Sequence, residues 1–106
     1  MDPRLQELAD LITQQTLETL NKRYPWTLEH TPDFWLRDAT AIVKPGTRYT
    51  RVDVGMSGRY MVDAASNIYG IKAYGVIHRG RPYGTLDTIH EYYWGGYVAV
   101  KKAQAA

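Results

Sequence analysis

The sequence predicts an α+β domain: a long N-terminal amphipathic helix packed on a twisted antiparallel sheet of about four strands, with a short helix near the C-terminus. Two observations carry that class. Leu5, Leu8, Ile12, Leu17, Leu20 and Tyr24 recur at helical spacing near the start of the chain. From Thr40 onward the period falls to two, in short runs broken by the turn-forming stretches PGT, GMSG and AASN. Short connections of this kind favour antiparallel pairing. A chain of 106 residues and 12.1 kDa fits a single domain spanning 1–106.

The helix is expected over 3–24. Asp2 is placed to cap it, Pro3 suits its first position, Lys22 and Arg23 suit its C-terminal dipole, and Pro25 stops it. Its apolar stripe calls for a sheet to pack on, with self-association to a homodimer as the alternative. A connector follows over 25–39, anchored by Trp26, Phe34 and Trp35, with a possible helical turn starting at Thr31. Antiparallel strands are expected within 40–77. In YTRVDV, Thr50, Val52 and Val54 share one face and Tyr49, Arg51 and Asp53 the other. In IYGIKAYGVI, the set Tyr69, Ile71, Ala73, Gly75 and Ile77 reads as core-facing, which sends Lys72 and Tyr74 outward. A loop over 78–85, a short helix over 86–94 ended by Gly95–Gly96, and a final strand over 97–101 complete the chain.

Composition bounds the function. Hydrophobic residues form 44% of the chain and charged ones 23%, which argues against disorder. With no cysteine, disulfides, zinc–thiolate sites and thiol nucleophiles are excluded. The acidic start lacks an apolar segment and no run of about 18 apolar residues occurs, so a cytoplasmic protein with no membrane partner is expected. The net charge of +2 hides an asymmetry. Residues 1–43 carry four basic side chains against seven acidic ones. Residues 44–83 carry seven basic side chains against Asp53 and Asp63, an excess of five. A basic centre suits an anionic partner, or a merely solvated sheet face.

The stretch IYGIKAYGVIHRGRPYGTLDT concentrates the candidate chemistry. HRGRPYG reads as a basic Gly/Pro loop: glycine permits close backbone approach, and the arginine fork matches phosphate oxygens. The candidate ligand-binding set is Lys72, Tyr74, His78, Arg79, Arg81, Tyr83 and Thr85. Within it Lys72, Arg79 and Arg81 would meet phosphate, Tyr74 and Tyr83 stack, and His78 and Thr85 donate hydrogen bonds. Gly80 and Gly84 would admit the ligand, and Arg48, Arg51 and Arg59 could extend a charged track. Nine tyrosines against one phenylalanine fit either a binding surface or amphipathic sheet packing.

Reaction signatures are absent. There is no P-loop, dinucleotide fingerprint, RRM signature, zincin helix or Gly-x-Ser-x-Gly elbow. Asp87 and His90 could orient an imidazole, but a local capping or surface pair is the better explanation of their spacing. His30, His78 and His90 lack ligand-like spacing, so neither metal nor cofactor is expected. Pro45–Val52 and Met61–Lys72, with their PGTRYTRV and MVD…IYGIK patterns, resemble small proteins encoded by bacteriophages and their relatives. The resemblance covers about half the chain and implies origin rather than chemistry: a phage protein acting in the host bacterial cytoplasm. The expected function is therefore a non-enzymatic module that binds an anionic, base-containing ligand, nucleotide or nucleic acid, with countering a host process as one use for it. The alternatives are an inhibitor docking on a host protein through its tyrosine-rich face, and a small hydrolase or transferase using His78 or His90.

Overall fold

Asp2 starts the first helix. Its carboxylate accepts a hydrogen bond from the Arg4 backbone N–H at 2.9 Å, satisfying a donor that the first turn leaves open. The computed structural model describes residues 2–25, 32–96 and 99–102. Helix α1 runs Pro3–Arg23, with Tyr24 as its C-cap rather than its last residue. Only its N-terminal half is deeply buried, through Leu5, Leu8, Ala9 and Ile12. Leu17 and Leu20 are half-buried and Tyr24 is exposed, so the second half overhangs the core. The expected connector contains a second helix, α2, Pro32–Ala39. Trp26, His30, Thr31 and the Phe34 side chain lie outside the described residues.

The sheet has five antiparallel strands in sequential order: β1 (Ala41–Lys44), β2 (Thr50–Val54), β3 (Ser57–Val62), β4 (Asn67–Ala73) and β5 (Val76–Thr85). The α+β class is as predicted, with one strand more. That extra strand is the expected loop 78–85, which belongs to β5. As the outermost strand β5 needs pairing on one side only, so glycines and a proline are tolerated there. Its register is interrupted: Gly70 pairs with His78, but Tyr69 pairs with Pro82. Arg79, Gly80 and Arg81 therefore bulge from the ladder.

One face of the sheet packs under α1. Val52, Val54, Tyr60, Val62, Ile68 and Tyr83 form it, closed by Leu86, Ile89 and Trp94. The face assignment expected for β4 is inverted. Ile68 and Gly70 point to the core, whereas Tyr69 and Ile71 are only half-buried and Ala73 is exposed. Both faces of this strand carry apolar residues, so alternation alone does not choose between them. Gly70 decides it, because a Cβ there would lie 3.2 Å from the Tyr83 ring, which fills that space.

After β5 the chain makes a 3-10 turn (Ile89–Glu91), not the helix expected over 86–94. Tyr92–Tyr93 then extends as β6 and pairs with β7, Val100–Lys101. Adjacent aromatics favour this extended form. The final strand is thus seen at Val100–Lys101 within the expected 97–101, residues 97 and 98 lying outside the described set. Trp94 locks the segment: its indole donates to the Ile89 carbonyl at 2.8 Å, and its backbone N–H donates to Gln15 Oε1 of α1 at 2.7 Å. Arg4 adds an ion pair from α1 to Asp87. Among the described residues no helix is long and apolar enough to cross a membrane.

Candidate nucleic-acid interface on the open sheet face

The sheet separates the candidate residues of the sequence. Tyr83 is buried, with its ring edge-on to Tyr60 at 5.5 Å and to Trp94 at 6.4 Å, so it is a core residue and not a stacking platform. Thr85 serves the turn after β5: its N–H donates to Thr88 Oγ1 at 2.9 Å and its hydroxyl accepts from the Asp87 N–H at 3.2 Å. Gly84, at φ 72, admits the Thr88 and Tyr92 side chains rather than a ligand. A Cβ on Gly80 would lie 3.2 Å from His78 Nε2.

His78 pairs with Gly70 and so lies on the α1 side of the sheet. Arg81 lies on that side too, since a Cβ on Gly70 would be 3.5 Å from the Arg81 Cβ. Arg59 ties β3 to the C-terminal segment, Nη1 donating to the Gly96 carbonyl at 3.2 Å. Lys72 is exposed beside the irregularity that ends β4, and Arg48 is exposed in the β1–β2 loop. HRGRPYG therefore does not converge on one ligand. The Asp87–His90 pair does not form either: Asp87 binds Arg4, and His90 Nε2 lies 2.8 Å from Glu7 Oε1. No cluster of metal-ligating side chains occurs among the described residues.

What the fold does assemble lies on the face opposite α1. Cross-strand partners share a face, and the registers line up Lys44, Arg51, Met61, Tyr69 and Pro82 across all five strands. Five strands at about 4.8 Å spacing make this row roughly 19 Å long. The β5 bulge frees Arg79 to fold back onto it. Its guanidinium lies 5.5 Å from the Tyr69 ring centre and 5.7 Å from that of Tyr49, and Nη2 donates to Tyr49 Oη at 2.6 Å. Arg51 lies 5.1 Å from the centre of the Tyr74 ring. Arg79 and Tyr74 are nevertheless exposed, so both pairs have surface to offer. Arginine on tyrosine combines charge with a planar surface, as single-strand platforms do.

The next row contains Ile42, Asp53 and Gly58. Asp53 is 2% exposed, although it shares Arg51's face. The reason is Tyr74, which leaves the β4–β5 turn and folds back over Gly58. Its hydroxyl donates to Asp53 Oδ2 at 3.0 Å, and Lys44 Nζ binds the same oxygen at 3.0 Å. A Cβ on Gly58 would come within 2.6 Å of the Tyr74 ring, so only glycine admits it in this position. The hydrogen bond and charge of Asp53 hold the Lys44 ammonium above its usual range.

Sequence reasoning found Arg51, Tyr74 and Arg79 but missed Lys44, Tyr49, Asp53 and Tyr69. The parity of β2, which sets Tyr49, Arg51 and Asp53 on one face, was the available signal. Lys44 and Tyr69 join them only through register. A cleft of about 370 Å³ lies elsewhere, between Tyr93 and the last turns of α1. Glu18, Thr19, Lys22 and Arg23 line it on the helix side, away from the open face of the sheet. No family model, curated protein or solved structure matches the chain.

Proposed function

We propose that this protein binds single-stranded nucleic acid on the open face of its sheet, without catalysing a reaction. The observation that carries the reading is the set of three arginine–tyrosine contacts, Arg79 with Tyr69 and with Tyr49, and Arg51 with Tyr74, gathered about the transverse row that holds Lys44, Arg51 and Tyr69. Bases would stack on tyrosine and guanidinium planes, and phosphates would take the remaining arginine and lysine N–H donors. The roughly 19 Å extent of the row suits a strand running across the sheet better than one captured nucleotide. On this reading, and as the phage-like pattern of Pro45–Val52 and Met61–Lys72 implies, such a strand would be met in an infected bacterial cell.

Fluorescence anisotropy with a labelled single-stranded oligonucleotide tests the reading, because the sheet separates the two bulge arginines. Arg79→Ala is expected to weaken binding about tenfold or more, the loss typical of one stacked and charged contact. Arg81→Ala, on the other side of the sheet, should change it by less than about twofold. Equal losses for the two variants would return the site to the 78–85 segment. Absence of binding would remove the reading.

A further inference from the structure

We propose that Asp53, beneath Tyr74, is a base-reading site selective for guanine. The inference rests on the single-strand reading and adds specificity to it. Among the described residues Asp53 Oδ1 is buried without a hydrogen-bond partner, while Oδ2 takes both Tyr74 Oη and Lys44 Nζ. An acceptor left unmet in a site of low water content is costly, and a ligand that supplies an N–H removes the cost. A carboxylate accepts from several donors, and a lysine ammonium donates only. Side by side, they offer an acceptor next to a donor.

The Watson–Crick edge of guanine presents the complement: two adjacent N–H donors, N1–H and the N2 amine, beside the O6 acceptor. Asp53 would take the donors and Lys44 would give to O6. Thymine and uracil have a single N–H between two carbonyls, so one carbonyl would face the carboxylate repulsively. Adenine and cytosine each offer one amine donor beside a ring acceptor and satisfy less of the pair. Single-stranded recognition characteristically reads these edges on splayed bases.

Access to Asp53 requires Tyr74 to move, and the structure supplies the means. Tyr74 is 53% exposed and belongs to the two-residue Tyr74–Gly75 turn, where Gly75 sits at φ 77 with open space around it. Its ring lies over Gly58 and is held by the Asp53 hydrogen bond, by Lys44 beside its hydroxyl and by the half-buried Arg51. An incoming base replaces all of these: its edge takes over the carboxylate, and its plane takes over Arg51.

Anisotropy titrations with two labelled strands test this. One is an oligothymidylate of about twelve nucleotides, and the other has guanines replacing its central thymines. The guanine strand is expected to bind about tenfold tighter, the discrimination given by one well-formed edge contact. Asp53→Asn should bring the ratio of the two affinities to about one. Lys44→Met should lower the same ratio, and its exposed position keeps the test valid if Asp53→Asn does not fold. Gly58→Ala, which displaces the Tyr74 ring from over Asp53 and removes its stacking surface from both strands alike, should raise the ratio of the two affinities. Equal affinity of the wild-type protein for both strands, or a preference that survives both Asp53→Asn and Lys44→Met, would overturn the guanine site and leave single-strand binding standing. Failure to bind either strand would overturn both.

Discussion

Tyr60 shows how a single buried group sets the response to pH. Burial pushes its phenol up to about 12, against 10.0 for an exposed tyrosine. Above pH 10 the unfolded chain releases this proton and the native state keeps it, so stability falls between pH 10 and about 12. Two pH units correspond to about 3 kcal/mol. Tyr60→Phe should flatten this part of the alkaline unfolding profile, as followed by circular dichroism. Gly84 makes a second residue-scale case. Its φ of 72 and the closeness of Thr88 Oγ1, 2.3 Å from where a Cβ would stand, both oppose a side chain. Gly84→Ala should cost about 1–3 kcal/mol, measured by denaturant unfolding. The sequence suggested a ligand-admitting glycine here, because a glycine serving a turn and one serving a ligand look alike until the neighbours are known. Tyr83 misled for a related reason: tyrosine suits a core edge and a binding surface equally, and only its contacts with Tyr60 and Trp94 choose.

At the scale of elements, α1 was legible because helical periodicity, cap and stop residues all agree. Ile12 is fully buried in it, and Ile12→Ala should destabilise the domain by about 2–5 kcal/mol. Strand β5 was not legible. Val76–Thr85 contains two glycines before its end and a proline, which read as a loop, yet the segment forms the outer strand of the sheet. The same residues explain why this edge need not recruit another chain: Pro82 lacks an N–H, and Arg79 and Arg81 sit on a bulge. Replacing both arginines by valine should promote self-association, visible as increased light scattering at unchanged pH and salt. HRGRPYG thus has a structural role over most of its length, with Arg79 as its contribution to the open face.

For the whole molecule, the basic central segment is where charge and architecture meet. The sequence showed the excess of positive charge over 44–83 but not how a sheet would divide it. Lys44, Arg51 and Arg79 share the open face, whereas His78 and Arg81 lie on the α1 side and Arg59 binds the C-terminal segment. This division depends on three irregularities in the β4–β5 register, which alternation alone does not encode. The most direct test of single-strand binding is its salt dependence, measured by titrating a labelled single strand across a range of salt concentrations. The account predicts that affinity falls as salt rises, and that Arg79→Ala lowers the slope of log K against log salt by about 0.7, the loss of one phosphate contact. Binding that is absent, or indifferent to salt in both proteins, would contradict it.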